Sequence, residues 1–293
     1  FVSAAILDWC ALAGGADIYY FRDELPAYLM SFLVSPEKII FEAHKYSPAR
    51  RFWFNRFRKK GIRVMVITNE LRKKLIELGL AKENILIASD GVDLEKFAIE
   101  PNRGWAREQT GLPADKKIVL YTGHLFGWKG ADVLAETAGN LPEVLFVFVG
   151  GTATDTVAFR KRNQSGGNIL ILGHQPHRQI PMYLKAADML ILPNSGREPI
   201  SRLYTSPLKL FEYMASGRPI VASDLLSLRE VLNENNAVLV APDDPTALAA
   251  GINQVLTDPS LAERISRQAL NDVQNYTWSK RADKILRFIN NNQ

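Results

Sequence analysis

Three short stretches carry residues suited to holding an anionic ligand. In Gly123-His-Leu-Phe-Gly-Trp-Lys-Gly130, the glycines allow close backbone approach and Lys129 offers a point charge for phosphate. A flexible loop with a solvated lysine would look the same. Val149-Gly-Gly-Thr152 is a second glycine-rich segment behind an apolar run, and Gly151 could bring backbone N–H groups up to phosphate oxygens. The third stretch, Ser206-Pro-Leu-Lys-Leu-Phe-Glu-Tyr-Met-Ala-Ser-Gly217, reads as a helix over 206–216. Ser206 would cap it, Pro207 would take the first helical position, and Gly217 with Pro219 beyond it would stop it. The first turn of such a helix presents unpaired N–H groups and the positive end of its dipole. Glu212 follows within two turns, where a carboxylate can accept two hydrogen bonds from a ribose diol. A helical acid is usually a surface residue. Here Leu208, Leu210, Phe211 and Met214 make the helix mostly apolar, and a buried acid needs a partner.

These stretches belong to a chain in which short β-branched and aromatic runs alternate with helix-like segments, the pattern of parallel sheets covered by helices. Strands are expected at 17–21, 38–42, 64–68 and 85–88, with a helix over 70–78 stopped by Gly79. Residues 100–115, with their prolines, glycines and mixed charge, read as a connection. A second series follows: strands at 118–121, 145–149, 169–172, 189–192, 220–222 and 237–240, and helices at 131–138, 180–186, 245–256 and 260–276. The fold class is therefore α/β, with a partial first domain over 1–105, a ligand-binding domain over 106–275, and a C-terminal helix over 276–293 that packs back on the first. In open parallel sheets ligands bind outside the carboxyl ends of the strands, where the candidate loops stand. Two domains imply a cleft between them.

The totals agree with this reading and exclude little else. A chain of 293 residues that is 47% apolar can bury a large core. The 36 basic residues exceed the 31 acidic ones by five, a mild excess that suits an anionic substrate or membrane surface without requiring either. Cys10 is the one cysteine, so no internal disulfide forms, and a reducing compartment is expected; the residue also fits as a small buried hydrophobe. The opening apolar stretch 1–21 is interrupted by Asp8, Asp17 and a Gly14-Gly15 pair, unlike a signal peptide or membrane span. A cytoplasmic protein, in peripheral contact with the inner membrane face at most, is expected.

The 123–130 loop, the 206–222 stretch and Asp90-Gly-Val-Asp93 together resemble the retaining GT-B glycosyltransferases of family 4, across nearly the whole chain. The resemblance implies two Rossmann-like domains with parallel sheets, the first incomplete because nothing before Asp17 matches the family's glycine-rich opening. It implies transfer of a hexosyl group from a nucleoside-diphosphate sugar, with retention and without a metal ion or other cofactor, in polysaccharide biosynthesis. The family's loop Lys and helix Glu, which grip the diphosphate and the ribose, fall at Lys129 and Glu212. A histidine that closes a first-domain strand near the donor sugar falls at His44, which also fits a structural role. His44, Lys129 and Glu212 are thus the implied catalytic set. Gly123, His124, Lys129, Gly151, His174, Tyr204, Thr205, Ser206, Leu208 and Glu212 are the implied donor-binding set.

Three positions depart from the family pattern. His124 stands where the family has a phosphate-gripping Arg, and near neutrality an imidazole is only partly charged. Tyr204 replaces the first acid of the family's Glu-seven-residues-Glu motif, so it can hydrogen-bond a sugar hydroxyl but carries no negative charge. Pro207 replaces a glycine and has no N–H to donate, which leaves Leu208 and its neighbours as the phosphate-binding amides. Glu198 lies too far back to replace the missing acid. With these departures a non-catalytic nucleotide-sugar-binding subunit is the alternative function. An epimerase of the same architecture is disfavoured by the acid lost at Tyr204.

Segment 50–60 packs six cations and four aromatic residues into eleven positions. It suits a helix on an anionic membrane surface, a basic acceptor-side helix, or a surface helix with an aromatic inner face. No nucleic-acid module accompanies it, so no nucleic-acid partner is expected. The partners expected are a nucleotide sugar and an acceptor that is a glycan, lipid or small molecule.

Overall fold

The computed structural model describes residues 15–97, 102–163 and 167–290. Cys10 and most of the apolar opening lie outside them. The chain forms two compact units. The first holds the residues through Ser89 with Leu203–Ser206 and the chain from Arg281 on; the second holds Asp90–Arg202 and Pro207–Lys280.

In the first unit, β1 (Tyr19–Phe21), β2 (Ile39–Ala43), β3 (Arg63–Val66) and β4 (Ile85–Ile87) form a parallel sheet in the order β1-β2-β3-β4. The central strands β2 and β3 are buried along their whole length, as expected for a parallel sheet covered on both faces. Phe54 and Phe57 of the Arg51–Lys60 helix and Leu71 and Leu75 of the Asn69–Glu77 helix pack into its core. Thr68 caps the latter helix by accepting from the Leu71 amide. Arg63 reaches the carbonyl of Ile289 at 2.7 Å, at the end of the Trp278–Asn290 helix.

In the second unit, β5 (Lys117–Thr122), β6 (Val144–Val149), β7 (Ile169–Gly173), β8 (Met189–Leu192), β9 (Ile220–Ser223) and β10 (Val238–Val240) form a six-stranded parallel sheet, ordered β10-β9-β8-β5-β6-β7. Read from β7, this is the doubly wound order 3-2-1-4-5-6, and the chain reverses direction between β5 and β8. Alternation along β5 divides the core. Ile118 and Leu120 face one apolar layer with Phe211 and Leu184, whereas Val119 and Tyr121 face another with Phe148 and Ile252.

Four sequence expectations change. Residues 100–115 are no bare connection, because the Arg103–Thr110 helix occupies them, capped by Asn102. Buried Arg107 ties that helix to Asp188 at 2.7 Å and to the Ala186 carbonyl at 3.0 Å. A further helix, Ala153–Arg162, links β6 to β7. The expected helix over 206–216 is Leu208–Ala215, with Pro207 and not Ser206 in the cap position. Pro207 is extended (φ −74°, ψ 124°) and its carbonyl accepts from the Leu210 amide at 2.9 Å, so helical geometry starts one residue later. The expected helix over 260–276 is Pro259–Asp272, closed by a short 3-10 turn at Val273–Asn275.

Candidate functional site

The reversal point of the second sheet gathers the candidate residues of that unit. After β5 the chain turns at Gly123, passes exposed His124 and runs through a 3-10 turn, Gly127–Lys129, into the Ala131–Thr137 helix. Two glycines make the arrangement possible. A Cβ on Gly130 would lie 1.7 Å from the Pro193 carbonyl oxygen after β8, and one on Gly150 would lie 2.4 Å from the Gly123 oxygen. Both residues have positive φ, at 75° and 124°. The three strand ends are thereby packed backbone to backbone, and the Ser195 amide donates to the Trp128 carbonyl at 3.1 Å.

The Leu208–Ala215 helix is fastened to the same place. Buried Tyr213 sets its hydroxyl 2.7 Å from the Thr122 amide, which donates to it, and 3.1 Å from the Thr122 hydroxyl. Burial drives the Tyr213 phenol up to a pKa above its ordinary range, so the hydroxyl stays protonated. The Tyr121 hydroxyl donates to the His124 carbonyl at 2.6 Å and holds the loop from below. These bonds bring the first turn of the helix up to the 123–130 loop.

Lys129 is half-buried, with its ammonium 4.0 Å from the Trp128 ring centre. Burial lowers its pKa from 10.5 to about 8. Glu212 keeps its side chain 14% exposed and accepts a hydrogen bond at Oε1 from His177 Nε2, 2.9 Å away. Leu208 is exposed at the head of the helix. Gly151 is buried after β6, and His174 is exposed just past β7. His124 stacks on Phe126, ring centres 4.9 Å apart.

The structure does not bring every expected residue into that unit. Tyr204, Thr205 and Ser206 belong to the first unit, where Tyr204 packs against the apolar core and the Thr68 hydroxyl donates to the Leu203 carbonyl at 3.1 Å. His44 also belongs to the first unit, at the end of β2. Its Nε2 lies within hydrogen-bond distance of buried Glu42 and 2.9 Å from Arg22. Glu42 further accepts from Tyr20 and lies 3.0 Å from Arg281. Burial opposes charge on Glu42, but the His44 hydrogen bond and the Arg281 charge outweigh it and hold the carboxyl below its ordinary range.

Three residues of the second unit's site escaped sequence reasoning. His177 pairs with Glu212 from a separate segment and had no local signal. Asn194, two residues past β8, is fully buried, and neither its side-chain oxygen nor its nitrogen has a hydrogen-bond partner among the described residues. Lys209 is buried in the first turn of the helix. Its sequence signal was a charge four residues before Tyr213, on the stripe where an amphipathic helix places apolar residues.

A family profile described as Glycosyl transferases group 1 matches residues 103–272, more than half of the chain. The chain belongs to this family. The D-inositol 3-phosphate glycosyltransferase of Xylanimonas cellulosilytica is 30% identical over 233 residues, covering 75% of this chain and 54% of that protein. The phosphatidyl-myo-inositol mannosyltransferase of Mycobacterium tuberculosis is 30% identical over 211 residues, covering 68% and 52%. The chain thus spans about half the length of the curated relatives it matches. Among solved structures, Anabaena HepE in complex with UDP superposes with a TM-score of 0.83 at 20% identity, over 98% of this chain and 82% of that one. A glycosyltransferase from Rickettsia africae gives 0.82 at 20% identity, over 98% and 80%. At those identities the likeness establishes the fold, which is the α/β GT-B architecture that the motif resemblance implied. The matched family region includes both the Gly123–Gly130 loop and the Glu212 helix.

Proposed function

We propose that this group-1 glycosyltransferase chain moves a hexosyl group from a nucleoside-diphosphate sugar to a glycan, lipid or small-molecule acceptor, with retention and without a metal ion. The observation that carries the reading is the meeting of the turn after β5 with the Glu212 helix at the sheet's reversal point, where Thr122 bonds Tyr213 and Lys209 of the first turn stands beside Gly123. There the backbone amides of Leu208 and its neighbours, the helix dipole and the Lys129 ammonium face growing negative charge on a departing diphosphate. Their charge would do what a metal does elsewhere. The Glu212 carboxylate, oriented through His177, accepts from the ribose hydroxyls. His44, Tyr204, Thr205 and Ser206 are assigned to the donor-sugar side on the motif resemblance, and Gly151 and His174 to the diphosphate side. A non-catalytic binding subunit is the second reading, favoured by the exposed His124, which stacks on Phe126 where the family has an Arg. A cytoplasmic location with peripheral membrane contact through residues 50–60 completes the proposal; no described helix is long and apolar enough to cross a membrane.

A thermal-shift panel of UDP-, GDP- and ADP-hexoses tests this reading. One nucleotide class should raise the melting temperature equally with and without chelator, and Glu212→Gln should weaken that response by roughly ten- to a hundredfold in affinity, the worth of a charge-assisted hydrogen bond. Release of labelled sugar from the bound donor separates enzyme from binder. Loss of binding in chelator would sink the metal-free mechanism.

A further inference from the structure

Lys209 violates the rule that a buried charge has a partner. It is 8% exposed, and its ammonium nitrogen is buried without a hydrogen-bond acceptor among the described residues. Around it stand an aromatic face, a second cation and, beyond hydrogen-bond reach, the Glu212 carboxylate. Its Nζ lies 4.0 Å from the Tyr121 ring centre and 3.8 Å from where a Cβ on Gly123 would stand. Burial, and after it the Lys129 charge, press its pKa well below 10.5, against the opposing pull of Glu212. A leucine or methionine would fill this place on the helix at less cost, because the position shares its stripe with buried Tyr213. Two lysines from different elements thus press on one another beside one glycine turn, and Glu212, the acid that acts on Lys209, does so without a hydrogen bond to its ammonium. Departures from packing rules of this kind concentrate at functional positions.

At the loop position where the motif resemblance implies an arginine stands His124, exposed and stacked on Phe126. We propose that Lys209 is the second diphosphate-binding cation of this site, delivering from the helix a charge that the family pattern places on an arginine of the loop. The proposal rests on the nucleotide-sugar reading. Bound diphosphate supplies the acceptor that the ammonium lacks, so the burial that disfavours Lys209 in the free protein strengthens its interaction in the complex. Two ammonium groups match a diphosphate's charge where one would leave an excess of anion in a half-buried site.

Calorimetry with UDP, GDP and ADP and with their nucleosides, on the parent chain and on Lys209→Met, tests it. For whichever diphosphate the parent binds, the variant should lose roughly ten- to a hundredfold in affinity while the nucleoside binds as before. Without ligand the variant should melt higher than the parent, since a methionine replaces an unpaired buried charge with apolar volume. Lys209→Arg should keep more diphosphate affinity than Lys209→Met. Unchanged diphosphate affinity in Lys209→Met overturns the proposal and leaves the nucleotide-sugar reading standing. So does a lower melting temperature, or an equal loss for the nucleoside, because either would mark the lysine as a structural group. A parent chain that binds none of the diphosphates removes the nucleotide-sugar reading itself, and this proposal with it.

Discussion

The fold opposes the protonated state in which Lys129 is proposed to bind diphosphate. Burial sets its pKa at about 8 against 10.5 for a free lysine, so between those values the unfolded chain binds more protons than the folded one. The ligand-free protein therefore gains stability from this residue as pH rises from about 8 to 10.5, by the linkage between proton binding and folding. Diphosphate binding runs the other way, because the charged amine is what the anion attracts. Nucleoside diphosphate affinity should hold up to about pH 8 and then fall toward tenfold per pH unit, while affinity for the matching nucleoside stays flat. Lys129→Arg, which stays charged, should blunt the fall. Calorimetry at pH 7, 8 and 9 reads both curves, and a diphosphate profile as flat as the nucleoside's would remove Lys129 from the phosphate. Lys129, Gly123 and Glu212 could be put forward from the sequence because a glycine-rich loop marks the first two and a mostly apolar helix makes an acid such as Glu212 conspicuous. Lys209, Asn194 and His177 were not, because their roles arise from tertiary approach: Lys209 matters only once Tyr213 has docked its helix beneath the β5 turn.

The elements hold these side chains through a few buried polar joints as well as through apolar packing. One joint lies at the opposite end of the strands from the site, where Asp188 accepts from the Ile118 amide at 2.7 Å and from Arg107 at 2.7 Å. Both side chains of that ion pair are less than a tenth exposed, at 5% and 8%. Removing one partner strands the other charge, so Asp188→Ala should cost about 3–5 kcal/mol. The exposed Asp132–Arg162 pair, 43% and 51% exposed, is the control, and Asp132→Ala should cost at most about 1 kcal/mol. Urea midpoints give both values; equal costs would show that the buried network does not fasten the Arg103–Thr110 helix. The glycine, charges and flanking prolines of the same helix are those of a connection, and the tertiary burial of Arg107, which has no local mark, is what fixes it as a helix. The Ala153–Arg162 helix was missed because it buries only Thr156 and Phe159 and leaves Val157 exposed, which gives no apolar stripe. Its one local mark was the capping box of Thr152 and Asp155. The strands were legible almost throughout, because continuous apolar runs are what a doubly covered parallel sheet requires.

For the whole molecule, a net charge of +5 is too small to set a partner, and its local arrangement carries more information. On the Arg51–Lys60 helix, Phe54 and Phe57 are buried, and Arg56 is held over the Phe32 ring at 3.7 Å and by Ser31 at 2.9 Å. Arg50 pairs with Glu24. Those contacts are structural, and they leave Arg51, Arg58, Lys59 and Lys60 exposed. Lys59 follows Phe52 by seven positions and so shares its face. Phe52, Phe32 and Leu33 are themselves 59%, 58% and 59% exposed, and Tyr28 joins the two phenylalanines, with ring centres 5.0 and 5.1 Å away. Apolar side chains flanked by free cations suit the headgroup region of an anionic bilayer, where each basic residue contributes about 1 kcal/mol and salt screens the attraction. The chain should sediment with phosphatidylglycerol vesicles at low salt and be released at high salt, whereas phosphatidylcholine vesicles should leave it in solution. Lys59→Ala with Lys60→Ala should weaken binding by about 2 kcal/mol, roughly thirtyfold. Phe52→Ser should weaken it with little change in salt dependence, because it removes apolar burial and no charge. Failure to sediment at low salt would leave this helix a surface element with an aromatic inner face, its exposed cations serving solubility and not attachment.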